Sequence, residues 1–373
     1  MKSCNLTFHY YWGGVFIALP LFLKVGMNLA TPRYPQDFFF FFATSLSLIL
    51  FGFYKPVDLK IKLIAGGFFA LAFLNSFNFT SMMYVYQIIL ISTFCLALVQ
   101  FNSQSLTDID KKLSILFNGI GVSAIIQVIL GILQKFGHNP HQLLYFFLEL
   151  GGKQKYISVG STGTLNNQNI FGCFLALALP VFFRKKWCYF IPFILLGIYL
   201  SASTGPLLAI VGCVVGYTLH KKVQKLYYLA PLLGLVFTYC VYVSPLSEQK
   251  FPRKTIWRNM IDKTKSEHYL KGYGTAFVTE NKKSWKGRYV YPADQAHNEY
   301  LELFITYGAA GVILVTAYFY LFYNTVSPIL SAITAGSLVS SLFHFNLHIS
   351  ITALMFLVSI SYNYKKKQGV DHH

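Results

Sequence analysis

His297, Asn298 and Glu299 stand in a row where a polar stretch of the chain meets an apolar run. Imidazole is the side chain most readily tuned to act as a base near neutral pH, so His297 is the first candidate for proton chemistry. Earlier in the same polar stretch come Arg253, Lys254 and Arg258, cations suited to neutralising a diphosphate, the arginines by planar bidentate contacts. Arg253 and Trp257 are four residues apart and share one side of a helix if Pro252 starts it. Gly272 and Gly274 flank Tyr273, a pattern that lets backbone come close to a ligand. A second polar patch holds Asn167 and Asn169 just ahead of another apolar run. Every one of these has a structural alternative. A histidine at a membrane boundary packs among aromatics, a cation there contacts headgroups, and an asparagine at a helix start caps free N–H groups.

The elements that must position these residues are membrane helices. Of the 373 residues, 55% are hydrophobic and only 12% charged, about half the charged share of a soluble domain. Apolar runs of near-spanning length fall at 9–24, 37–54, 61–77, 81–101, 113–133, 168–183, 187–202, 204–219, 226–244, 299–323, 328–345 and 348–363. They are too long and continuous for barrel strands, which leaves an all-α polytopic membrane protein of about twelve transmembrane helices, a single membrane domain over residues 1–373. The stretch 201–206 between two of the shortest runs reads either as a tight hairpin tip or as a break in one irregular helix. The six cysteines form no CxxC pair, which disfavours a disulfide framework or a zinc site. The formal net charge of +18 lies mostly between apolar runs, where topology and lipid or phosphate contact account for it better than nucleic acid does.

Sidedness follows from the positive-inside rule. With both termini cytoplasmic, the inner segments carry fifteen Lys and Arg and the shorter outer segments five. That orientation puts a smaller loop, 134–167, and a large, partly helical loop, 245–298, on the outer face. The large loop alone holds eleven basic against five acidic residues. Long loops translocate largely regardless of charge, so this excess is permitted but needs a purpose of its own.

The order of motifs resembles the O-antigen ligase and O-antigen polymerase superfamily, and most nearly the ligases. Three features carry the likeness, over residues 160–320. The stretch Gly163 to Asn169 ahead of an apolar run is similar to the family's glycine-to-asparagine approach to a mid-chain span. Arg253 to Trp257 followed by Tyr269 to Gly274 is similar to its Arg-x-x-x-Trp and Gly-aromatic-Gly pattern in the large outer loop. Ala296 to Leu301, followed by Tyr307 to Gly311, is similar to its His-Asn signature and glycine-bearing helix. The resemblance implies transfer of a glycan from an undecaprenyl-diphosphate carrier to an acceptor on the periplasmic face of the bacterial inner membrane, with lipid A–core the acceptor of a ligase. It implies His297 as the base, Arg253 as the group that stabilises the departing diphosphate, and Arg258, Lys254, Asn167, Asn169, Asn298, Glu299 and Tyr273 as substrate contacts. It calls for no metal, nucleotide or other cofactor. One departure stands out: Thr204 follows the Ser-rich turn where the family often has arginine. Competing readings are a lipid-linked repeat polymerase, a protein O-oligosaccharyltransferase and, in another class, a transporter of a lipid-linked anion. Transporters place ionisable groups mid-membrane, whereas the apolar runs here hold almost none and the polar chemistry gathers outside.

Overall fold

The computed structural model describes residues 109–138, 160–163, 165, 167–220, 222, 224–246, 253–273, 296–322 and 327–343. Every element among these residues is helical. In chain order they are α1 (Ile109–Lys135), α2 (Gln168–Ala178), α3 (Ile191–Leu200), α4 (Gly205–Thr218), the single turn α5 (Gln224–Tyr227), α6 (Ala230–Val243), α7 (Arg253–Asp262), α8 (Glu299–Phe322) and α9 (Pro328–Ser340), with 3-10 turns at Leu179–Phe183, Cys188–Phe190 and Ser266–His268. Seven of the apolar runs therefore become helices. The runs at 9–24, 37–54, 61–77, 81–101 and 348–363 lie outside the described residues, as do most of the 134–167 loop and residues 274–295 of the large one. Two stretches, Phe117–Lys135 and Glu299–Ala317, are long and apolar enough to cross a bilayer; the other apolar helices are shorter.

The centre is α2, whose residues 170–178 are all buried, with α1, α3, α4 and α9 packed around it. A helix apolar on every side suits such a position. Pro180 ends its α-helical part by removing the N–H that would bond Ala176, and the Cys213 thiol donates to that freed carbonyl at 3.6 Å. After the 3-10 turn, Arg184 donates to Asn118 Oδ1 at 3.0 Å and Ser114 Oγ at 2.8 Å, tying the chain beyond α2 to α1.

The 201–206 stretch is a turn between two separate helices, α3 packing on α1 and α4 on α9. Ala202 sits there at φ +50°, in the left-handed region. The α4–α9 contact is made by backbone. A Cβ on Gly212 would lie 2.8 Å from the Ala335 carbonyl oxygen, and one on Gly216 would lie 2.6 Å from that of Ser331. Small residues let membrane helices approach this closely, where lipid gives no hydrophobic incentive to pair.

Helix α8 is interrupted. Gly308 has φ 63° and ψ −162°, a conformation essentially confined to glycine. The break leaves backbone groups of the helix without helical partners, and the loop at 269–273 supplies new ones. Ala309 N donates to the Tyr269 carbonyl at 2.7 Å and Ala310 N to the Leu270 carbonyl at 3.0 Å, while Tyr273 N donates to the Ile305 carbonyl at 2.8 Å. Gly272 meets the same constraint from the other side: a Cβ there would sit 2.3 Å from the Thr306 carbonyl oxygen. The sequence suggested that this glycine lets backbone approach a ligand. The backbone it approaches is that of α8.

Candidate active site

His297 precedes α8 with φ +53°, a left-handed conformation that histidine adopts more readily than most residues. Its neighbours hold it there. Asn298 is fully buried and caps α8, its Oδ1 accepting from Tyr300 N and Leu301 N, both at 3.0 Å, while its Nδ2 donates to Thr238 Oγ1 on α6 at 2.8 Å. On the other side of His297, Ala296 N donates to Glu302 Oε2 at 3.1 Å, a reciprocal cap reaching back from the first turn. Glu299 is buried and its N–H donates to the Ser341 carbonyl at 2.9 Å. Tyr300 crosses to α9 and donates to the Leu338 carbonyl at 2.7 Å. His297 itself is half-buried between these fixed points.

Helix α7 is attached to the same spot. Trp257, fully buried, donates from Nε1 to the Ala296 carbonyl at 2.9 Å, one residue before His297. Its indole stacks on Phe343 with centroids 6.4 Å apart, and one helical turn earlier the Arg253 guanidinium lies 5.9 Å from the centre of that same ring. The i, i+4 spacing thus has a mechanical meaning: tryptophan fastens the histidine segment, and arginine shares its aromatic shelf. Burial lowers the Arg253 pKa from its ordinary value, opposed by the Cys173 sulfur of α2, which lies within electrostatic reach. A half-dehydrated guanidinium interacts with an anion more strongly than one in water.

Asn167 caps α2, Oδ1 accepting from Asn169 N at 2.8 Å and Ile170 N at 3.3 Å. Asn169 Oδ1 accepts from Ser203 Oγ in the α3–α4 turn. The segment ahead of Asn167 is pinned by Gln134, which accepts from Thr162 N at 2.8 Å and Gly163 N at 3.0 Å and donates to the Gly163 carbonyl at 3.0 Å.

The remaining candidates separate. The Lys254 ammonium is buried and donates to the carbonyls of Ser244 and Leu246, closing the chain between α6 and α7. Arg258 is exposed, although it follows the buried Lys254 by four residues on α7. Tyr273 accepts from Lys265 N and donates to the Lys263 carbonyl, with its ring stacked 4.0 Å from that of His268. The structure therefore gathers Arg253, His297, Asn298 and Glu299 around Trp257 and the start of α8, and ties Asn169 to the α3–α4 turn through Ser203. Lys254 and Tyr273 go to bracing contacts. Sequence reasoning did not single out Thr238, Glu302, Ser203, Phe343 or Gln134. Of these only Ser203 carried a signal, as part of the Ser-rich turn. Among the described residues no three His, Cys, Asp or Glu side chains group as they would to hold a metal ion.

Residues 189–316 match the family model described as O-Antigen ligase. No curated protein and no solved structure matches the chain. The matched stretch runs from α3 into α8 and contains Arg253, Trp257, His297 and the Gly308 break. That match over residues 189–316 supports the resemblance to the O-antigen ligase and polymerase superfamily.

Proposed function

We propose that the protein transfers a glycan from undecaprenyl diphosphate to an acceptor hydroxyl on the outer face of the bacterial inner membrane, and that the acceptor is lipid A–core. The observation that carries this reading is the hydrogen bond from Trp257 to the Ala296 carbonyl, because it fixes the arginine helix beside the histidine turn. In the proposed reaction His297 accepts the acceptor's hydroxyl proton as that oxygen bonds to the anomeric carbon. The bond from that carbon to the carrier's diphosphate breaks, and undecaprenyl diphosphate departs as an anion. Arg253 stabilises the charge that develops on it, an effect that is large where the cation is already partly dehydrated. Arg258, exposed on the same helix, is the second cation available to the diphosphate where Thr204 supplies none. The Asn298 and Lys254 side chains serve by holding the turn and helix in place, and Glu299, buried beside His297, keeps a substrate contact.

The test is complementation of a strain lacking its own ligase. Glycan attached to lipid A–core should reappear with this chain and vanish with Arg253→Ala or His297→Ala. Full ligation by both variants, inserted at normal levels, sinks the assignment. Growth of lipid-linked repeats without ligation shifts the reading to a polymerase. Purified protein should work with lipid-linked glycan and acceptor in the presence of chelator, and a strict metal requirement counts against the mechanism.

A further inference from the structure

The loop that mends the broken helix does so below the level at which α8 begins. From Glu299 to Ala309 and Ala310 is roughly 15 Å of helix at about 1.5 Å per residue. Even with the polar first turn discounted, that reaches well into the outer half of a hydrocarbon core about 30 Å thick. The hydrogen bonds give the direction of the loop. Tyr273 is level with Ile305, whereas Tyr269 and Leu270 are level with Ala309 and Ala310. The chain thus descends beside α8, turns at 269–271 and rises again, with the turn closed by Gly272 N donating to the His268 carbonyl at 2.7 Å. Backbone of this kind is tolerated in lipid because its polar groups are paired with protein. At the deepest point the side chains are exposed: Leu270 by 70%, and Tyr269 by 49% with its ring 6.0 Å from that of Phe304 on α8. Lys265 and Lys271 are exposed on either side of them along the chain.

We propose that residues 266–273 form a re-entrant membrane hairpin, with Tyr269 and Leu270 seated among the acyl chains of the outer leaflet and Lys265 and Lys271 reaching headgroup phosphates. An aromatic at the boundary and long cationic stems rising to the headgroups are the usual furniture of that layer. The occupant of this surface is the bilayer, and the hairpin holds the large loop, with Arg253 on it, at a fixed height above the lipid.

The experiment places a nitroxide on Leu270→Cys in proteoliposomes of the full chain, with Cys4, Cys95, Cys188 and Cys240 replaced by serine and the buried Cys173 and Cys213 kept. Collisions with oxygen, which concentrates in lipid, should exceed those with an aqueous nickel chelate at position 270. The order should reverse at Lys186→Cys, an exposed position in the inner turn. A nickel chelate that reaches 270 as readily as 186 overturns the proposal. Should Leu270→Cys not reconstitute, the same two readings on Tyr269→Cys decide it. No glycan donor is involved, so the result stands apart from any failure of transfer.

Discussion

At the scale of single residues, the separation of fastening from chemistry makes the site testable. His297 holds a left-handed backbone that asparagine also tolerates. His297→Asn should therefore insert and purify like the parent yet lose ligation, whereas a purely structural histidine would leave ligation largely intact; abundance and glycan attachment measured together distinguish the two. Arg253→Lys keeps the charge but loses the planar fork, and transfer should fall by roughly a hundredfold, the scale seen when one transition-state contact is removed. Asn298→Ala should act differently, costing about 1 kcal/mol for the lost cap, with more for the hydrogen bond lost to Thr238, whose hydroxyl still donates to the Gly234 carbonyl at 2.8 Å. Its signature is a lower unfolding midpoint in detergent, with the loss of activity following stability.

At the scale of elements, the decisive joint is Gly272 against Gly308. A Cβ on either glycine would collide with backbone, 2.3 Å from the Thr306 carbonyl oxygen or 2.4 Å from that of Leu270, and backbone cannot swing aside. Gly272→Ala and Gly308→Ala should each sharply lower thermal stability and the yield of folded protein. Gly137→Ala is the control: its φ is +85° but no atom lies within 4 Å of a new Cβ, so only the left-handed cost of about 1–2 kcal/mol applies. Much of this level was legible in the chain itself. The seven apolar runs that fall among the described residues begin and end close to their helices, and Pro252 and the Arg253–Trp257 spacing pointed to α7. The joint was not legible, because two glycines separated by a long polar sequence give no sign that they meet, and the Gly308 break is hidden inside an unbroken apolar run. The bracing roles of Lys254, Asn298 and Tyr273 were equally out of reach. A polar side chain's partner is a neighbour in space, and here those partners are mostly carbonyls, which every residue has.

At the scale of the whole molecule, Arg184 ties the chain beyond α2 to α1, and Arg253 and His297 meet around Trp257 and the start of α8. With the termini inside, Leu246→Cys, exposed in the large loop outside the hairpin, should be labelled in intact cells by a maleimide that cannot cross the inner membrane, in a chain lacking Cys188 and Cys240. Native Cys188, exposed beside the inner turn, should resist that reagent until the membrane is opened. Reversed labelling would invert the topology and remove the candidate site from the outer face. The orientation is an expectation from lysine and arginine positions alone, because the rule behind it acts on short segments rather than on the folded structure.

The break at Gly308 also bears on how the protein is made. A helix released into lipid must satisfy its own backbone, and α8 cannot, since Ala309 and Ala310 find their acceptors only at Tyr269 and Leu270. Those acceptors are translated first. The large loop must therefore cross the membrane and fold back before α8 can settle, which makes the order of synthesis part of the assembly and makes α8 a latch that closes only on a loop already in place.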